Sequence, residues 1–233
     1  MCTVSSAKLK SSENLASTRC PTRSVLIAPR IEWPLLILQN LLDLSRAPGL
    51  EHLQILSLSF PCPSKEHLDV TDLPTLPNLP QLQSLHLTLS GDKRHLPAGG
   101  IAKLLSEVDL AALRRLSILG LVISQPQLSA MVKAGRELEE LYISVNDKNT
   151  ALHCEELRNH NLRIIHVNAP ELMGPTVDDL TRLAEVMPDL EQVGSGNRVY
   201  EVHRTLNEAG ESVVELARWS RTTVPAYFQI WRG

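Results

Sequence analysis

The chain has 233 residues, and 23 Lys plus Arg stand against 26 Asp plus Glu, so its formal net charge is -3 at pH 7. This balance argues against a strongly basic nucleic-acid-binding protein and against a polyacidic disordered tail. Leucine occurs 41 times, whereas aromatic residues make up only 3% of the chain, so the expected core is built from leucine.

Membrane insertion and secretion are not expected from the sequence. The most apolar segment, Trp33–Leu44, contains a proline and three polar residues and falls short of the roughly 18 to 20 apolar residues that cross a bilayer. The first 24 residues lack the apolar block of a secretory signal. The four cysteines lie far apart and form no disulfide framework. We therefore expect a cytoplasmic or nuclear protein with no membrane contact.

The chain begins with a basic segment. Residues 1–30 hold five Lys or Arg and a single acidic residue, Glu13. Such a Ser-rich, weakly apolar segment is typical of disorder, so residues 1–24 are predicted to be a disordered leader.

A six-residue pattern, apolar-x-x-apolar-x-apolar, then recurs along the chain. Successive copies start 24 to 31 residues apart, which is close to the period of about 20 to 29 residues of leucine-rich repeats. Five clear copies and a weaker sixth begin at Leu53, Leu82, Leu113, Leu138, Leu162 and Leu190. We number the positions of each copy from its first apolar residue, which is position one. Each copy predicts a short strand.

The segments between the strands have apolar residues three and four apart, as in amphipathic helices. An exception is the proline-rich stretch from 61 to 80, predicted to be a loop with one short helix near Lys65–Asp69. Alternating strands and helices predict an α/β fold over residues 25–197, a right-handed solenoid with parallel strands on the concave face and helices on the convex face. The helical segments are Ile31–Arg46, Gly99–Leu110, Gln125–Gly135, Thr150–Arg158 and Thr176–Met187.

These repeats resemble leucine-rich repeats of the ribonuclease-inhibitor-like type, and most closely those of fungal F-box/leucine-rich-repeat proteins. The resemblance implies substrate selection for ubiquitination, with a Skp1-type adaptor and a cullin as partners. An F-box is not recognisable. Trp33–Leu42 mimics its first helix, but the first repeat strand begins too soon for the rest. We interpret this segment as the convex helix of an N-terminal repeat whose strand is Val25–Ile27, with the F-box lost or lying outside this chain.

Residues 198–233 differ from the repeats, since five of the eight aromatic residues lie at or after Tyr200. Two β-rich segments, Val199–Thr205 and Val213–Trp219, flank a turn ending at Gly210, and Tyr227–Trp231 predicts a third strand. We expect a small β cap over the end of the solenoid. An aromatic docking patch is the alternative.

No enzyme signature stands out, and we expect neither a catalytic residue nor a cofactor. Gly194–Asn197 is too short for a phosphate loop and reads as a turn. The histidines at 153 and 160, with Cys154, match no standard zinc ligand spacing. Arg94 is the one candidate for a projecting arginine of the kind used by GTPase-activating repeat proteins.

The repeats predict a binding strip instead. Because side chains alternate along a strand, position five of each copy faces the concave side, where a partner protein would bind. Large side chains with polar tips dominate such contacts. The expected binding residues are Ser57, His86, Arg115, Ser117, Tyr142, His166 and Asn168. The sequence thus predicts a non-enzymatic protein-interaction scaffold, with a stand-alone inhibitor or GTPase-activating regulator of an intracellular enzyme as the alternative.

Overall fold

The structure is a computed structural model, which describes residues 25–27, 52–61, 75–76, 78–90, 94–95, 100–158, 160–169 and 174–219. Four predictions lie outside these residues: the disordered leader, the helix containing the F-box-like segment, the short helix near Lys65–Asp69, and the third strand at Tyr227–Trp231.

The described strands form a single ten-stranded sheet. Neighbours along it follow the order β1-β2-β3-β5-β6-β7-β8-β9-β10, and β4 pairs with β5. All pairings from β1 to β8 are parallel, and only β8–β9 and β9–β10 are antiparallel. The strands are β1 (Val25–Ile27), β2 (Ile55–Pro61), β3 (Ser84–Ser90), β4 (Arg94–His95), β5 (Arg115–Ile123), β6 (Glu140–Val145), β7 (Ile164–Asn168), β8 (Gln192–Ser195), β9 (Arg198–Leu206) and β10 (Ser212–Arg218).

The described helices are short and lie between the parallel strands in the sequence. They are α1 (Gly100–Leu104), a 3-10 helix (Leu110–Ala112), α2 (Gln125–Ala134), α3 (Asn149–Leu152), α4 (Glu155–Arg158) and α5 (Val177–Val186). The predicted class, a mixed α/β protein with a largely parallel sheet, is therefore confirmed.

Two predicted helices agree closely with the structure, and a third is divided. Helix α5 begins after Thr176, whose hydroxyl accepts the backbone N–H of Asp179 at 3.2 Å, while the Asp179 carboxylate accepts the Thr176 N–H at 3.0 Å. This reciprocal cap satisfies donors that the first turn leaves without partners. The predicted helix over 150–158 is instead two short ones, since Cys154 N–H bonds to the Ala151 carbonyl in a tightened turn.

Neighbouring parallel strands are joined by the same hydrogen-bond arrangement at five places. The carbonyl at position two of one copy accepts the backbone N–H groups at positions two and three of the next, with all ten distances between 2.8 and 3.0 Å. The accepting residues are Gln54, Gln83, Arg114, Glu139 and Arg163. Because the arrangement repeats, the strands enter the sheet in one common register.

The hydrophobic core lies between the helices and one face of the sheet. Positions four and six of the copies point into it and are almost fully buried, as Leu141 and Ile143 show. Helical residues such as Leu128, Leu157 and Leu183 complete the cluster. Burial of apolar side chains is the main stabilising contribution, at about 25 cal/mol per Å².

Strand β5 departs from the common register. Its pairing with β6 runs regularly to Ile118 and resumes at Val122, which pairs with Ser144. Gly120 has φ of 78°, a left-handed conformation that favours glycine. The interruption turns the backbone at Gly120 so that its N–H donates to the Ser144 hydroxyl at 3.2 Å.

The predicted hairpin is present as β9 and β10. A two-residue turn at Gly196–Asn197 connects β8 to β9, and Gly196 has the positive φ that such turns require. Arg204 of β9 donates to the carbonyls of Ala184 and Met187 at 3.0 and 2.7 Å, so it satisfies acceptors at the carboxyl end of α5. These hydrogen bonds hold the hairpin against α5.

Candidate binding surface

The expected binding residues at position five stand side by side across the sheet. The strand register pairs each with the next in the order Ser57, His86, Ser117, Tyr142, His166 and Gly194. Arg115 lies in the neighbouring row at position three, and Asn168 in the row at position seven. The sequence motif therefore brings these residues together on the sheet face opposite the helices.

The middle of this row is buried. His86, Ser117, Tyr142 and His166 are at most 3% exposed, whereas Ser57 is half-buried. This differs from the solvent-facing strip expected from the strand alternation. The use of these residues in binding stays a prediction.

Part of the burial comes from ring packing along the row. The rings of Tyr142 and His166 stack with centroids 6.3 Å apart, and His166 Nε2 lies 2.9 Å from the Gly196 carbonyl oxygen. A side chain at Gly194 would clash with the His166 ring, so the absence of a Cβ there lets the ring lie flat against β8. Burial lowers the pKa of His166 more than its bonds to Gly196 and Asn168 raise it.

The side chains of His86 and Ser117 are buried with no hydrogen-bond partner among the described residues. This applies to both ring nitrogens of His86 and to the hydroxyl of Ser117. Burial, helped by the positive charge of Arg115, lowers the pKa of His86 to about 4. The imidazole is therefore neutral near pH 7, and an unsatisfied polar group of this kind reduces stability.

Arg115 is not a free anchor. Its Nε lies 2.7 Å from Glu140 Oε1, and the other carboxylate oxygen accepts the Tyr142 hydroxyl at 3.2 Å. Glu140 itself is only 7% exposed. The carboxylate thus ties position three to position five across two strands, and the Arg115 charge is neutralised within the sheet.

An open cleft of about 640 Å³ lies at the carboxyl ends of β6 and β7, next to the interruption in the middle of β5. The row at position seven forms one wall with Leu119, Ser144 and Asn168, and the β8–β9 turn forms another up to Arg198. In open α/β sheets this edge is where ligands commonly bind. Of the expected binding residues, Asn168 alone lines the cleft.

Leu119 and Ser144 occupy position seven, in the same row as the predicted Asn168, whereas Gly120 and Arg198 were not predicted to lie near the strip. Gly120 lines the cleft because of the interruption in β5, and Arg198 because the Gly196–Asn197 turn folds β9 back against β8. Gly120 and Gly196 were the available signals in the sequence, since both adopt positive φ.

Other chemistry considered in the sequence finds no site in the part of the chain that the structure describes. No group of three or more metal-binding side chains occurs there. Cys154 is buried, and that burial raises the pKa of its thiol to about 11. The side chain of Arg94 is not among the described groups.

We compared the chain with protein-family models, curated proteins and solved structures, and found no match in any of the three. Within the described ranges, no helix combines the length and the apolar character needed to cross a membrane.

Proposed function

We propose that this chain is a leucine-rich-repeat solenoid that acts as a non-enzymatic scaffold for binding another protein. The observation that carries the proposal is the hydrogen-bond arrangement that joins neighbouring parallel strands. It occurs five times, and each time one carbonyl accepts the same pair of backbone N–H groups from the next copy. Units that stack through one repeated interface are the basis of solenoids, which use their extended surfaces for recognition.

The contact region that we propose is the cleft at the carboxyl ends of β6 and β7 and the interruption in β5. Three neighbouring strands span about 10 Å at about 4.8 Å per strand, which suits a few residues of an extended chain. The lining mixes apolar and polar groups: Leu119 and Val177 supply apolar surface, while Ser144 and Asn168 supply hydrogen-bonding groups. This mixture is typical of protein contact surfaces.

The biological process that we propose rests on the sequence resemblance. The chain would be the substrate-binding part of an F-box-type ubiquitin ligase receptor, and the ligase chemistry would belong to its Skp1 and cullin partners. A scaffold of this kind works by holding a substrate, and it needs no catalytic residue of its own.

The test is affinity purification of the tagged full chain from its native cells, with mass spectrometry of the bound proteins. Leu119→Glu places a negative charge at the half-buried cleft wall, and Asn168→Glu is a second cleft variant. Val186→Glu is the matched control, since Val186 is 40% exposed on α5. Melting curves establish that all three variants fold.

We expect a partner that is recovered with the wild type and with Val186→Glu and is lost with the cleft variants. Equal recovery with all four proteins would contradict the cleft as the contact region. Recovery of Skp1 and a cullin would support the ligase receptor, and a single stoichiometric partner without them would support a free-standing scaffold.

A further inference from the structure

We propose that the cleft binds a carboxylate group carried by an extended segment of the partner protein. This inference rests on the proposed function and adds the chemistry of the ligand. It depends on two independent features of the cleft: an unpaired cation at its rim, and a buried hydroxyl whose hydrogen has no acceptor.

The described residues that line the cleft carry a net positive charge. Arg198 is its one charged lining residue, and no Asp or Glu lies among the described residues around it. The Arg198 guanidinium forms no ion pair with any described residue. By contrast, Arg115 and Arg163 are each paired with a glutamate. A cation left without a partner at the mouth of a cleft attracts an anion.

The second feature is the hydroxyl of Ser144, a residue that is only 3% exposed. Its oxygen accepts the N–H of Gly120 at 3.2 Å, so the hydroxyl hydrogen remains to be donated. No described residue accepts that hydrogen, and the side chain lines the cleft. A buried donor without an acceptor is costly, and a ligand oxygen would remove the cost.

Both features favour a group that only accepts hydrogen bonds. An ionised carboxylate has two oxygens and no donor, and it fits the planar fork of an arginine. One guanidinium balances one carboxylate, whereas a phosphate carries a charge of about -1.5 to -2 and would call for more cations. An acidic side chain of an extended segment meets these requirements.

The experiment is a titration of the ¹⁵N-labelled full chain with the N-acetylated, C-amidated peptide Gly-Glu-Gly, followed by two-dimensional NMR. The amides of Gly120 and Gly196 report on the cleft, and the amide of Gly210 in the β9–β10 turn serves as an internal control. The matching peptides contain glutamine or phosphoserine in place of glutamate.

We expect the glutamate peptide to shift the Gly120 and Gly196 signals and to leave Gly210 unmoved. Arg198→Ala and the glutamine peptide should each weaken binding about tenfold, which corresponds to about 1.4 kcal/mol. Ser144→Ala should weaken it about threefold or more. Arg182→Ala removes the same charge from the exposed face of α5 and should change the affinity less than twofold.

Three results would overturn the inference: no shift of the cleft signals, equal weakening by Arg198→Ala and Arg182→Ala, or tighter binding of the phosphoserine peptide. The proposed function can fail separately. If cleft variants lose the native partner while the glutamate peptide does not bind, the scaffold stands and the carboxylate assignment falls. If the peptide binds but no variant affects partner recovery, the cleft's ligand chemistry stands and the cleft falls as the contact region for the partner.

Discussion

Both faces of the parallel sheet carry deeply buried residues, but the types of side chain differ between them. The face toward the helices carries leucine, isoleucine and valine at positions four and six, and these form one continuous core. The opposite face carries His86, Ser117 and Tyr142 at position five, and they are as deeply buried. The depth at which a strand residue is buried therefore depends on everything that packs around it. The types of side chain along the strand predict only which face of the sheet is apolar.

The opposite face also differs along its own length. At position five two side chains are buried with no hydrogen-bond partner among the described residues, while at position seven Leu119 and Asn168 border an open cleft. We therefore expect contact with a partner at the cleft.

The largest expected effect comes from a substitution on the face of the sheet that packs against the helices. Leu141→Asp places a charge without a partner at a site that is 0% exposed, which should cost several kcal/mol and unfold the middle of the sheet. Thermal unfolding followed by circular dichroism measures this. Asn146→Asp, at an exposed position just after β6, is the control and should melt near the wild-type temperature. A wild-type melt for Leu141→Asp would contradict the strand register.

The neighbouring residue tests the opposite face. Tyr142 is 2% exposed, so Tyr142→Ala should leave a cavity and destabilise the protein by about 3 kcal/mol. Tyr142→Phe keeps the ring and removes the hydroxyl that donates to Glu140, so it should cost about 1 kcal/mol. Urea unfolding of both variants gives the two free energies. If Tyr142→Ala unfolded at the wild-type urea concentration, the row at position five would be open to solvent.

Low pH should destabilise the protein through the same row of residues. Unfolded His86 takes up a proton near pH 6.5, but folded His86 does so only near pH 4. The unfolded state therefore binds more protons between these values, and stability falls as pH drops through this window, by up to about 3 kcal/mol at pH 4. The pKa of His166 is lowered too, so it acts in the same direction.

His86→Leu should remove part of this acid sensitivity. The free energy of unfolding, measured in urea at pH 7 and pH 4.5, should fall less for the variant than for the wild type. Lys133, Glu156 and Asp179 lie elsewhere, and their charges are common to both proteins. An identical loss in the two proteins would show that His86 is protonated as readily when folded as when unfolded.

The repeated motif predicted the strands and their register well, because the alternation of buried leucines marks each strand and its face. The hairpin and helix α2 were likewise predicted from Gly210 and from the apolar spacing over Gln125–Gly135. These features depend on local patterns, and local patterns are what a sequence displays directly.

The candidate site was less predictable. Strand alternation told which face carries position five, but it contains no information about how deeply that face is buried. The interruption of β5 near Gly120 and the fold-back at Gly196 bring Ser144 and Arg198 to one cleft from parts of the sequence 54 residues apart. Such contacts depend on tertiary packing.

The most direct test of whether the row at position five is buried uses the protein's own histidines. Diethyl pyrocarbonate modifies neutral imidazoles, and at pH 7 peptide mass spectrometry would give the rate at each site. We predict that His86 and His166 are protected because they are at most 3% exposed, whereas the exposed His153 and His203 are modified rapidly. Modification of His86 and His166 at the rate of His153 would contradict the account, since it would show that the row at position five is open to solvent.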